Sequence, residues 1–311
     1  MKVIIAGSLE FGTARSFKKA LEMYIHRTEV LYKHQLFFKA EDIFNEEEIT
    51  VNIPRFVKEP IELRWWKNTL SALEYAADFA TGGNISMWRL ETGKILDQKV
   101  IEPKGDKIAI KAFQEGRQII EVGGKMDDAM ESLNRAIEKF KRHAAAYERR
   151  GFIHFSRKNY EEAYNDYSAC LDITPRNADA YYGRALIHLE HGNLEQAIAD
   201  LDMATKTSIA LQSLYWKARH LKGNCHLTLE QYEKAAFEYR LFTKRNFAAE
   251  DPNRKALKDA YFDYGRVLLG LGKYDEALEA IKTSKDIEGQ TCSYTKADWQ
   301  ECHDKALAAC A

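Results

Sequence analysis

No apolar stretch in this chain approaches the ~18 uninterrupted residues a helix needs to cross a bilayer, so the sequence offers no membrane-spanning helix. It also lacks an excess of either charge. Lys and Arg number 46 against 47 Asp and Glu, and residues 1–105 carry 15 of each. That balance argues against a sequence-independent grip on nucleic acid phosphates, which needs a basic surplus. Cysteine is sparse, odd in number and without CxxC spacing: Cys170, Cys225, Cys292, Cys302 and Cys310. Such usage predicts reduced thiols and a cytoplasmic address. The apolar run Val3–Gly7 is too short for a signal-peptide core and reads as a first strand.

Catalytic motifs are missing as well. Gly7-Ser8-Leu9-Glu10-Phe11-Gly12 follows the first strand but has neither the Gly-Lys-Ser/Thr of a phosphate loop nor the GxGxxG spacing. It is expected to be a strand-to-helix turn. Gly123-Gly124-Lys125 reads as a turn between helices. There is no nucleophile elbow, paired-carboxylate motif or Cys/His arrangement. The sequence therefore predicts no enzyme, no metal and no cofactor. A site assembled from distant residues of the N-terminal region would leave no such motif, so an enzyme or small-molecule sensor there stands as the alternative.

What the chain does have is a phrase written five times. A large apolar residue, an acid and a further polar residue precede Ala at Met126–Ala129, Tyr160–Ala163, Leu194–Ala197, Tyr232–Ala235 and Tyr274–Ala277. The alanines step by 34, 34, 38 and 42 residues, a period that marks stacked-repeat architectures. Twelve positions before Ala stands a small residue, Gly151, Ala185, Gly223 or Gly265, with Gly116 thirteen before the first. A small side chain lets two helices approach closely, which offsets the ~1 kcal/mol that Gly costs inside a helix. Four and seven places after Ala come Leu133, Tyr167, Leu201, Tyr239 and Ile281, then Ala136, Cys170, Ala204, Phe242 and Ser284. Positions 0, +4 and +7 share one helix face, so this stripe is the buried side of each second helix. Asn159 and Asn193 are expected N-caps. Thr295-Lys296-Ala297-Asp298 reads as a capping box opening a last helix to about Ala309.

This pattern resembles the tetratricopeptide repeat (TPR) family. The stretch Leu171-Asp172-Ile173-Thr174-Pro175-Arg176-Asn177-Ala178-Asp179-Ala180-Tyr181-Tyr182-Gly183-Arg184-Ala185 carries the family's closing Pro, the aromatic opening the next unit and the small residue four places on. The resemblance covers about residues 109–288. It implies an all-α solenoid of about five helical pairs plus a capping helix over 105–311, without chemistry of its own. Departures are His154, His188 and His226 where the family usually has Tyr, and insertions near Ser208–Leu214 and Phe247–Arg254. The three histidines lie in separate units, roughly 10 Å apart at helix-packing distances, whereas zinc needs its ligands within ~2.3 Å. They are expected to pack, as is His188 beside His191, which lack a third ligand. Cys302, His303 and Cys310 on the terminal helix are read as core or surface groups.

Residues 1–104 follow another grammar: strand, helix, two strands, helix and a hairpin. Strands are expected at Val3–Ala6, Leu36–Ala40, Ile49–Ile53, Ile85–Leu90 and Lys94–Ile101, and helices at Ala14–His26 and Ile61–Ala80. The order predicts a small α+β domain, joined through Pro103-Lys104-Gly105-Asp106 to residues 105–311. Trp65-Trp66 stands out, because adjacent helical positions point ~100° apart. One is expected in the core and the other at an interdomain joint or as a partner anchor. Trp65, Trp66, Trp88 and Arg89 could also stack on single-stranded nucleic acid, without basic support.

The resemblance further implies a ligand-holding concave face on the first helices. Counted from the small residue, its side chains are Glu148, Phe152 and Phe155; Tyr182, Leu186 and Leu189; His220, Asn224 and Leu227; Phe262, Arg266 and Leu269. Of the Lys, Asn and Arg with which chaperone-binding members clamp a carboxylate, only Asn224 and Arg266 have counterparts. An extended or helical peptide laid on apolar pockets fits better. The expected function is an adaptor for a protein or peptide partner, and homo-oligomerisation is left open.

Overall fold

The computed structural model describes residues 1–288 and 293–310, the last of these by backbone alone, and resolves into two compact units, 1–175 and 176–311. In the first unit the chain runs β1 (Lys2–Glu10), α1 (Ala14–His26), α2 (Ala40–Ile43), β2 (Phe44–Asn45), β3 (Thr50–Lys58), α3 (Leu63–Ala77), β4 (Gly82–Glu91) and β5 (Lys94–Ile101). The five strands form one antiparallel sheet in the order β2-β3-β1-β4-β5. Four helices follow: α4 (Lys107–Glu121), α5 (Met126–Lys139), α6 (Ala144–Ser156) and α7 (Tyr160–Ile173).

The sheet layer is built on alternation. Val3, Ile5, Leu9, Val51, Ile53, Ile85 and Met87 point to one face and meet Phe17, Ala20 and Tyr24 of α1 and Trp66, Ala72, Leu73, Ala76 and Ala77 of α3. The helical residues recur at three and four, which places them on one stripe. Thr13 and Ser16 close a capping box on α1. β1 continues through Glu10, into the expected Gly7–Gly12 turn, with a bulge between Ile5 and Gly7. Glycine is required there: a Cβ on Gly7 would lie 2.2 Å from the Asn84 carbonyl of the neighbouring strand. The chain turns only after Phe11.

One expected strand is absent. Leu36–Ala40 forms no ladder; the Phe37 amide donates to Thr69 Oγ1 at 3.0 Å and the Phe38 carbonyl accepts from Tyr24 Oη at 3.0 Å. Its apolar residues still fill the core, with Leu36 and Phe38 buried. Side chains satisfy the backbone here in place of a second strand. β3 pairs instead with the two-residue β2. The hairpin between β4 and β5 turns through Thr92 and Gly93, both at positive φ, as a two-residue loop demands.

Pro103–Asp106 is no loose tether. The amides of Lys104 and Gly105 donate to the carbonyls of Ala77 and Ala80 at 2.8 and 2.6 Å, and Asp106 caps α4 through Ile108 and Ala109. The sheet and the first two helical pairs accordingly share a compact unit.

The second unit contains α8 (Ala178–Glu190), α9 (Leu194–Thr207), α10 (Ser213–Thr228), α11 (Tyr232–Thr243), α12 (Leu257–Gly270), α13 (Tyr274–Asp286) and α14 (Lys296–Cys310). Within the pairs of both units the key alanines are fully buried, and Gly116, Gly151, Gly223 and Gly265 face the +4 side chain. An added Cβ would lie 2.9 Å from Leu133 at Gly116 and 2.5 Å from Ile281 at Gly265. Asn159 and Asn193 make no side-chain cap, contrary to expectation; their amides close tight turns by donating to the carbonyls of His154 and His188. Asn177 does cap α8, accepting from Ala180 at 2.9 Å. The insertions are packed rather than loose. Phe247 lies between Phe242 and Trp216, and Trp216 Nε1 donates to the Ala210 carbonyl. The expected capping box at Thr295 and Asp298 opens α14. Cys292 and the side chain of Cys310 lie outside the described residues, whereas Cys170 and Cys225 are buried and Cys302 is half-buried. No described helix is long and apolar enough to cross a membrane.

Candidate interaction surface on the first helices

In the first unit the expected surface residues sit on α6, which packs against β4. Glu148 is buried, its carboxylate 3.2 Å from Arg149. Phe155 is half-buried against Tyr160, and Phe152 is 40% exposed. Of the three, Phe152 presents an open apolar ring.

The second unit sorts its nine expected residues into two groups. Tyr182, Leu186 and Leu189 on α8, Leu227 on α10 and Leu269 on α12 are half-buried, and all but Leu186 pack against the buried clusters while keeping an accessible edge. The others are engaged internally. His220 stacks on Phe242 at 4.8 Å, and burial lowers its imidazole to about 4, with Asp259 pulling weakly the other way. Asn224 Oδ1 accepts from Tyr239 Oη at 2.7 Å. Arg266 pairs with Asp263 at 2.9 Å, and Tyr294 Oη donates to the same carboxylate at 2.6 Å. Phe262 is 1% exposed beneath Tyr294 and Trp299 of the C-terminal segment.

The two polar residues that could have formed a carboxylate clamp are thus occupied by the protein's own groups. What the structure brings together is apolar. Trp66 is in the core, 2% exposed, while Trp65 packs on Phe37 at 6.1 Å beneath Lys58. Both stand on α3 of the sheet layer. Trp88 is buried and Arg89 pairs with Asp97 at 3.8 Å.

Sequence reasoning missed a recurring electrostatic tie. The residue before the small position reaches the acid three after the key Ala: Arg150 to Asp166, Arg184 to Asp200 and Lys222 to Glu238, with Arg219 adding to the last. The first two are bidentate, at 2.6–2.8 Å. A constant sixteen-residue spacing was the available signal. The histidines at the family's Tyr position belong to it: His154 and His188 lie 3.9 and 3.7 Å from those same carboxylates. They neighbour an acid rather than merely filling space. Among the described residues no group of His, Cys, Asp and Glu is arranged to hold a metal.

A family model described as a TPR repeat matches residues 151–192, and one described as a tetratricopeptide repeat matches 258–291. Curated protein sequences give no match. Among solved structures the chain is similar to YrrB, described as a TPR protein with an unusual peptide-binding site, at 20% identity over 65% of this chain and 91% of that one, TM-score 0.46. It is also similar to pilF of Pseudomonas aeruginosa, at 16% identity over 65% and 88%, TM-score 0.49. A third is MamA of Desulfovibrio magneticus RS-1, at 15% identity over 59% and 96%, TM-score 0.48.

Proposed function

We propose that this chain, a tetratricopeptide-repeat protein, is an interaction scaffold whose first helices hold a predominantly apolar peptide segment of a partner protein. The observation carrying this reading is the sorting within the second unit. Asn224 and Arg266 are spent on internal partners, whereas Tyr182, Leu186, Leu189, Leu227 and Leu269 keep accessible apolar edges. A surface of that kind gains affinity by covering side chains that are already rigid, so little ordering entropy opposes binding. It offers little to a free C-terminal carboxylate, because the Asp263 carboxylate already neutralises Arg266.

Selection of displayed peptides on the full chain tests this. The expected ligands carry apolar residues at spaced positions, and Tyr182→Glu and Leu186→Glu abolish their binding in chains that circular dichroism shows to be folded at the assay temperature. Ligands defined by an acidic C-terminus, or binding untouched by both substitutions, would refute the reading.

A further inference from the structure

The five-stranded sheet has two edges, and they are protected unequally. On one side β3 is flanked by the two-residue β2, and its remaining length carries exposed Pro54, Arg55 and Lys58. A short outer strand, a proline and cations are the means by which sheets discourage edge-to-edge pairing. The other edge is β5, eight residues paired on one side to β4. It contains neither proline nor glycine, and it exposes Ile95, Leu96 and Val100 at 45%, 47% and 51%. A bulge interrupts its pairing at Leu96, and from Asp97 to Ile101 the register is regular.

We infer that β5 pairs antiparallel with the β5 of a second copy of this chain, extending the sheet across a two-fold axis at Gln98. Symmetry and sequence together select that register. Along an antiparallel ladder, hydrogen-bonded and non-hydrogen-bonded pairs alternate. A two-fold axis cannot exchange one kind for the other, so some residue must face its own counterpart. An axis at Asp97 or at Lys99 sets like charges directly opposite each other, which is destabilising. An axis at Gln98 sets an amide against an amide and Asp97 against the second copy's Lys99, twice by symmetry. It also places Val100 opposite the second copy's Leu96, beside Ile95. Lys99 makes no ion pair among the described residues, and Asp97 has Arg89 at 3.8 Å, so the interchain pair completes a charge row already half-built. Three exposed apolar side chains from each copy are covered in the same step. The dimer presents two repeat arrays at once, and a partner with two binding segments would gain avidity from it.

Sedimentation equilibrium of the full chain tests the pairing, with circular dichroism melts verifying that each variant is folded. The natural chain is expected to show a monomer–dimer equilibrium. Lys99→Asp and Asp97→Lys each weaken it by roughly tenfold, from two opposed pairs turned repulsive, and the double swap restores it. A cysteine at Gln98 meets its counterpart at the ~4.5–5.5 Å Cα separation of opposed residues, within disulfide reach. Gln98→Cys therefore crosslinks under mild oxidation, and Lys94→Cys does not. A strictly monomeric natural chain overturns the proposal and leaves the edge for an extended segment of another protein. So does a dimer indifferent to both charge changes, or crosslinking equal at the two cysteine positions.

Discussion

Thr174 Oγ1 donates a 2.6 Å hydrogen bond to Glu10 Oε1, tying the end of α7 to the end of β1 across 164 residues of sequence. Glu10 is 3% exposed, and its other oxygen, Oε2, is buried without a hydrogen-bond partner among the described residues. Burial pushes the carboxyl from 4.5 up to about 7, against the opposing pull of the Thr174 hydroxyl and Arg142.

The sign of the pH dependence follows. The folded chain holds this proton more tightly than the unfolded one, so the site costs nothing below pH 4.5, and stability falls as pH rises through about 7. Glu10→Gln is expected to stabilise the protein above pH 7 by up to about 3 kcal/mol, at 1.36 kcal/mol per pH unit. The advantage disappears in acid. Urea midpoints on both sides of the transition measure it; an equal gain at both would show that another group titrates.

His220 carries the opposite sign. Its imidazole, stacked on Phe242 with Nε2 lacking a partner among the described residues, is lowered from 6.5 to about 4 by burial. The neutral ring is stable above pH 6.5, and that stability drains away as pH falls toward 4. His220→Phe should flatten the acid side of the stability profile while leaving the neutral plateau within about 1 kcal/mol. Thermal melts across this range will tell.

Arg184→Leu leaves the buried Asp200 with His188 as its basic neighbour among the described residues, and a loss of about 3 kcal/mol is expected. Arg184→Leu/Asp200→Leu should recover most of it, since paired apolar replacements remove the desolvation cost along with the attraction. Denaturation of the four chains of this double-mutant cycle gives the coupling. Additive losses would mean that the bidentate geometry contributes little.

Gly265→Ala would normally gain ~1 kcal/mol of helix propensity. Its Cβ instead lands 2.5 Å from Ile281 Cγ1, so a net loss of about 1–3 kcal/mol is expected. Combined with Ile281→Ala, the damage should be smaller than the sum of the two single changes, because the second removes the obstacle. Chemical denaturation of the three variants tests this.

The repeats were legible because each small residue and each key Ala answers to one local requirement, close helix approach, that recurs on a fixed period. Gly151 and Ala163 could be read in that way without knowing the fold. Glu10 could not, since its partner Thr174 is 164 residues away and no spacing rule connects them. Leu36–Phe38 looked like a strand because apolar residues in a row serve a core equally well in a coil. Of the residues expected on the first helices, Leu186 and Leu189 are half-buried. Phe262 lies under Tyr294 and Trp299, and Arg266 reaches Tyr294 while staying exposed, contacts that only the folded C-terminal segment reveals.

The amides of Lys104 and Gly105 are fastened to the end of α3, and Asp106 at once begins α4. A flexible linker would absorb a pull on the helices by straightening. This connection has no length in reserve, so tension applied to α4 arrives at Ala77 and Ala80 undiminished. The sheet and the first helical pairs therefore behave mechanically as a single lever, and a load on the repeats is borne directly by α3.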